Sequence, residues 1–134
     1  MEAVTQDQTR FLDENPFVGV VTTLRRDGSP HSTIVWVDAS DGGVSFNTAR
    51  GRVKPTNLER DPRLSLVVVD PDDAYKWVSV TGRARMTEAG ADEQIDRLSA
   101  KYTGNPEYQA RTPDEVRVRV DIAVEKADSS GFGT

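Results

Sequence analysis

Phe17-Val18-Gly19-Val20-Val21-Thr22-Thr23-Leu24 is followed by Arg25-Arg26-Asp27-Gly28-Ser29 and then, after Pro30-His31, by Ser32-Thr33-Ile34-Val35-Trp36-Val37-Asp38. The first run is rich in β-branched residues, and Asp27-Gly28 supplies the positive φ angles of a tight hairpin turn, so the stretch reads as two antiparallel strands. Downstream, a second turn at Ser40-Asp41-Gly42-Gly43 leads to Val44-Ser45-Phe46-Asn47-Thr48 as a third strand, completing a meander. Leu64 to Val69 is nearly continuously apolar, and Trp77 to Met86 alternates as a long strand, so both belong near the sheet centre. Val116, Val118, Val120, Ile122 and Val124 alternate strictly with polar residues and form the sixth strand.

Helices fall outside this strand order. Thr5 and Gln8 fit a capping box, and Asn15-Pro16 ends the first helix. Lys54 to Arg60 carries Pro55 in its first turn and stops at Asp61-Pro62. Ile95, Leu98 and Tyr102 make one face of an amphipathic helix between Asp92 and Tyr102. Strands joined by short turns argue against a doubly wound parallel sheet, which needs a helix between successive strands. The expected fold is mainly β: a six-stranded antiparallel barrel with two or three short peripheral helices. It occupies residues 1–127 as one domain, with 128–134, containing two Ser and two Gly, as a mobile tail.

Composition narrows the chemistry. The 134 residues carry 17 Lys plus Arg against 22 Asp plus Glu, a net charge of -5, so nothing draws the chain generally to nucleic acid or to an anionic membrane. Without cysteine there are no disulfides, thiolate nucleophiles or iron–sulfur ligands, and one histidine gives no metal-motif spacing. No basic leader with an apolar run and no long apolar span is present, which makes the cytoplasm the default compartment.

One stretch runs against the acidic background. Arg50 to Arg63 holds five basic residues (Arg50, Arg52, Lys54, Arg60, Arg63) and two acidic ones (Glu59, Asp61). Arg50, Arg52 and Lys54 alternate, so in extended backbone they point to one side, just ahead of a helix N-terminus that favours an anion. A phosphate fits such a place; so does a solvated edge paired with the Asp70, Asp72 and Asp73 run. No Walker loop or GxGxxG occurs. His31 next to Ser32 is not a hydrolytic pair, because neighbours on a strand face opposite sides and no nucleophile elbow exists. Trp36 and Trp77 suit core or interface, and Glu93 and Asp96 a solvated face. Unpaired chemistry of this sort points to an organic cofactor that carries the reaction itself.

The order strand, Arg26-Asp27-Gly28-Ser29-Pro30-His31, strand, together with Phe46-Asn47-Thr48, Asn57-Leu58-Glu59-Arg60-Asp61-Pro62-Arg63 and Trp77-Val78-Ser79-Val80-Thr81-Gly82-Arg83-Ala84, resembles the pyridoxamine-phosphate-oxidase-like split-barrel flavoproteins, especially their deazaflavin-dependent branch. The likeness runs from about Phe11 to Lys126. It implies a split β-barrel homodimer with two cofactor sites at the subunit interface. It also implies ring contacts from His31, Thr33, Asn47 and Thr48, phosphate contacts from Arg52, Lys54 and Asn57, added charge from Arg50, and Trp77 reaching the cofactor from the partner subunit. The implied cofactor is coenzyme F420, with FMN as alternative, and the implied activity is hydride transfer from the reduced deazaflavin to an unsaturated organic acceptor, with no side chain named as catalytic. The rivals are an FMN-dependent oxidoreductase of the same fold and a carrier that binds the cofactor without catalysis. The longer C-terminal signature of true pyridoxamine-phosphate oxidases is missing, which argues against vitamin B6 oxidation.

Overall fold

The computed structural model describes residues 4–132. Helix α1 (Gln6–Glu14) starts at a complete capping box: Thr5 Oγ1 accepts from Gln8 N–H, and Gln8 Oε1 accepts from Thr5 N–H. Strands β1 (Gly19–Leu24) and β2 (Pro30–Val35) form the expected hairpin, with Val21 opposite Thr33 and Thr23 opposite His31. The turn differs from the two-residue expectation: only Gly28 takes a positive φ, +87°, after a turn closed by the Gly28 N–H to Arg25 C=O bond. Asp27 keeps a negative φ and uses its carboxylate to accept from Ser29 N–H and Oγ–H.

The six-strand expectation is corrected to seven, because the second strand breaks at Trp36. Val37–Asp38 is a separate strand, β3, followed by β4 (Val44–Ala49), α2 (Val53–Arg60), β5 (Arg63–Asp70), β6 (Asp73–Thr87), α3 (Ala91–Thr103) and β7 (Arg117–Ser130). The sheet order is β2-β1-β5-β6-β7-β4-β3 and every pairing is antiparallel. β2 and β3 therefore lie at opposite edges of one sheet while only Trp36 separates them in sequence, so the sheet has to curl until its edges meet. The break has a visible cause. Val37 N–H donates to Tyr102 Oη and its carbonyl accepts from Lys101 Nζ, both on α3.

The inner face is a single apolar core in which Val21, Val37, Phe46, Leu66, Val80, Val118 and Val120 are fully buried, with Phe11 and Leu12 of α1 and Leu58 of α2 completing it. α3 packs outside against β7, β4 and β3 through Ala91, Ile95 and Leu98. The break expected at Asp128 is also corrected: Asp128, Ser129 and Ser130 continue β7 against Ser79, Val78 and Trp77, and the Phe132 ring meets Phe11 edge-on at 5.3 Å. The last two residues of the expected tail lie outside the described residues. Among the described residues no helix is long and apolar enough to cross a membrane.

Gly82 marks where β6 and β7 shift register, and there the partner backbone comes so close that a Cβ would sit 2.1 Å from the Ala123 carbonyl oxygen. A bulge with this approach needs glycine for space rather than for φ. Gly82→Ala is expected to cost at least about 2 kcal/mol, as overpacking does, measured by urea unfolding; a loss below about 0.5 kcal/mol would mean that the two central strands relax freely.

Candidate functional site

The closure at Trp36 is incomplete, and that creates the site. β3 pairs with Ser45 and Phe46, whereas β2 pairs only with β1, so the edge of β2 and the Asn47–Ala49 end of β4 part from each other. Between them opens a cleft of about 360 Å³. Ile34, Trp36 and Asn47 line its strand walls, Arg52 and Lys54 come from the start of α2, and Tyr108 and Arg117 from the segment leading into β7.

The three basic residues do not arise from extended alternation, because Gly51 turns the chain at φ +87° and the helix begins at Val53 with Arg52 as its N-cap. That turn separates them. Arg50 bonds Glu59 (2.7 Å) and Glu88 (3.2 Å) and does not line the cleft, while Arg52 and Lys54 do. None of the three pairs with Asp70, Asp72 or Asp73. Arg117, one of the polar residues that alternate with the valines of the last strand, is the third cation of the cleft. Its side chain is 3% exposed, its Nε donates to Asn47 Oδ1 at 2.8 Å, its Nη1 bonds Glu115, and its guanidinium lies 5.1 Å from the Tyr108 ring centre.

Three cations thus face one carboxylate, Glu115, which is held by Arg52 and Arg117. The Lys54 ammonium has no ion-pair or hydrogen-bond partner among the described residues. Its pKa lies below the ordinary lysine value, first because of burial and then because of the Arg52 and Arg117 charges. A half-buried ammonium lowered by like charges is a place where an anion is favourable, and the free N–H groups at the start of α2 add to it.

The other expected residues fall into two groups. His31 and Thr33 sit on β2 and Thr48 on β4, and His31 Nδ1, Thr33 Oγ1 and Thr48 Oγ1 are the buried side-chain atoms without a hydrogen-bond partner among the described residues. Native structures seldom leave such atoms unpaired, and these belong to the two strands that part. Asn47 lines the cleft but its amide is committed: Nδ2 donates to Ala91 C=O (2.8 Å) and Gln94 Oε1 (2.9 Å), and Oδ1 accepts from Arg117. Asn57 is buried and donates to Thr23 Oγ1, fastening α2 to β1 rather than facing the cleft. Trp77 lies on β6 opposite Val69 and Ser130, away from this chain's cleft. No cluster of His, Cys, Asp and Glu able to hold a metal occurs among the described residues.

Behind the cleft, Asp38 is 3% exposed. Burial would raise its pKa, but bonds from Ser40 N–H and Oγ–H, Gln94 and Arg97 outweigh it and bring the value down to about 2. The folded pKa is below the unfolded one, near 3.8, so the stabilisation is present above about pH 4 and disappears as pH falls through about 2. The shift corresponds to about 2 kcal/mol. Asp38→Asn is expected to flatten the loss of stability between pH 4 and 2 in thermal melts; an unchanged acid limb would place the responsible carboxylate elsewhere.

Comparison with known proteins adds three findings. The chain matches the family described as pyridoxamine 5'-phosphate oxidase over residues 5–129. It is 28% identical over 126 residues, 92% of this chain and 85% of the relative, to an F420H(2)-dependent biliverdin reductase of Mycobacterium tuberculosis. In three dimensions it is similar to a solved F420 reductase (TM-score 0.79, 24% identity, 93% of this chain and 98% of that one) and to a conserved hypothetical protein from Mycobacterium tuberculosis (TM-score 0.76, 26% identity, 96% and 85%).

Proposed function

Because the chain belongs to the pyridoxamine 5'-phosphate oxidase family, whose fold it shares, we propose that its cleft holds coenzyme F420 and that the protein is an F420-dependent reductase acting on an unsaturated organic acceptor. The observation that carries this reading is the unpaired, half-buried Lys54 beside Arg52 and Arg117 at the start of α2. Arg52, Lys54 and Arg117 would hold the cofactor's phosphate through charge-assisted hydrogen bonds. His31, Thr33 and Thr48 offer the unpaired polar atoms of a ring site. When bound, the reduced deazaflavin supplies a hydride and reacts sluggishly with oxygen, which favours reduction over oxidase activity. The chain's part is to bind, orient and exclude water. Trp36, stacked on Tyr102 at 5.4 Å and edge-on to Tyr108, gives the cleft an aromatic wall against which a planar acceptor can rest.

The same reading includes a homodimer with the cleft at its interface. On the outer face, Ile34 (60% exposed), Val20 and Val67 lie side by side across β2, β1 and β5, and Val69 lies opposite Trp77 on β6. A contiguous apolar stripe of this kind suits an isologous contact. Ile34 belongs both to the stripe and to the cleft wall, so a second copy seated there would also wall the cleft.

Fluorescence titration with F420 and with FMN tests the cofactor; tighter FMN binding would reverse the assignment, and turnover of the reduced cofactor on a panel of acceptors separates a reductase from a carrier. Lys54→Ala and Arg52→Ala are each expected to weaken cofactor affinity about ten- to hundredfold, the loss of a hydrogen bond to a charged group. Stability without cofactor should change by no more than about 0.5 kcal/mol. Parent-like affinity in both variants would leave the cations without a ligand. Light scattering should give twice the 14.8 kDa chain mass, and Ile34→Asp or Val67→Asp should return it to the single-chain value; a 14.8 kDa particle for the parent at micromolar concentration would remove the dimer.

A further inference from the structure

Gln94 is fully buried on α3, a position whose neighbours Ala91, Ile95 and Leu98 are apolar. Its side chain spends every polar atom. Nε2 donates to Asp38 Oδ2 (3.1 Å) and to Ser45 Oγ (2.9 Å), which leaves Oε1 as the acceptor for Asn47 Nδ2 at 2.9 Å. A carboxylate at Asp38 can only accept, so it fixes which way the Gln94 amide points. Gln94 in turn fixes Asn47: its Nδ2 must face Gln94 and Ala91 C=O, which turns Oδ1 towards Arg117 Nε at 2.8 Å. The series Asp38, Gln94, Asn47, Arg117 is thus polarised in one sense from a buried anion to a cleft cation. Arg117 Nη2 has no hydrogen-bond partner among the described residues, although the side chain is 3% exposed and lines the cleft.

We infer that Gln94 is a positioning residue for anion binding, acting through Asn47 to hold the Arg117 guanidinium in the cleft. The inference rests on the anion site of the preceding reading and extends it to a residue that touches no ligand. A structural glutamine would support folding alone. A positioning glutamine affects affinity only while Arg117 is present.

The test is a double-mutant cycle read by F420 binding on the whole chain. Gln94→Met is expected to weaken F420 about three- to tenfold and Arg117→Met about tenfold or more, with the double variant no weaker than Arg117→Met alone, since residues acting in series do not add. Parent-like binding by Gln94→Met, or the same weakening in the Arg117→Met background, overturns the inference and leaves the cofactor reading intact. A parent that does not bind F420 overturns the cofactor reading instead. In that case, or if Gln94→Met does not fold, NMR of the parent decides. Titrated inorganic phosphate should shift the Arg117 Nε–H resonance, and the Asn47 side-chain amide should exchange slowly with solvent. A fixed Arg117 resonance or a fast-exchanging Asn47 amide overturns the inference.

Discussion

A nine-residue stretch, Pro30 to Asp38, has to serve both edges of the same sheet, and the rest of the molecule follows from how it does so. β2 forms one edge by pairing with β1 and β3 forms the other by pairing with β4, so the chain must leave strand geometry at Trp36 and re-enter it at Val37. A buried backbone group released from a ladder has to find another partner. Here Val37 N–H goes to Tyr102 Oη and Val37 C=O to Lys101 Nζ, while Tyr102 Oη donates onward to Phe17 C=O and Lys101 Nζ also meets Leu12 C=O. Both side chains bear the mark of that burial: the Lys101 pKa is lowered and that of Tyr102 is pushed up to about 12. α3 is therefore the clasp of the barrel, and the Trp36 ring stacked on Tyr102 covers the join.

A clasp at a single point closes the barrel there and leaves it open beyond. Past Asn47, β4 has β7 on one side and no strand on the other, and β2 likewise has only β1. α2 fills the end of that opening, and with it come the free N–H groups of a helix start and the side chains of Arg52 and Lys54. Burial and like charges both disfavour the protonated Lys54. By linkage, an anion that relieves this raises the Lys54 pKa and stabilises the fold by as much as it prefers the charged form. Glu115 offsets the repulsion between Arg52 and Arg117 but leaves Lys54 uncompensated.

Hydrophobic alternation and turn chemistry made the strands legible, because period-two burial holds wherever one face meets the core. The Trp36 break was not legible: nothing in Ile34-Val35-Trp36-Val37 interrupts the strand pattern, and the interruption comes from hydroxyl and ammonium groups more than 60 residues away. The three helices and the Thr5–Gln8 box could be read because they depend on neighbours in sequence. The end of β7 was hidden by Ser129, Ser130 and Gly131, loop-forming residues that the pairing partner on β6 overrides. In the site, Arg52 and Lys54 stood out as local charge against an acidic chain. Arg117 did not, since it occupies a polar position of a regular alternation, and only the packing of α3 and of the Tyr108 segment outside the sheet turns that position inward to the cleft. Spacing misled over Arg50, where Gly51 rotates the chain between charges that an extended backbone would have aligned.

The two asparagines show most clearly what the site demands of the fold. Both have the residue type of a ligand contact, yet each spends its amide on the protein: Asn57 ties α2 to Thr23 and accepts from Arg60, and Asn47 ties β4 to α3 and orients Arg117. Each is thereby attached to a carrier of charge, Asn57 to the helix that presents Arg52 and Lys54 and Asn47 to the guanidinium itself. Long basic side chains lose much rotamer freedom when they are ordered, and a site that orders its supports before the ligand arrives avoids that loss at the moment of binding. The neutral amides suit this better than further charges would. They orient cations without neutralising them, so the net positive charge of the cleft remains for the ligand to meet.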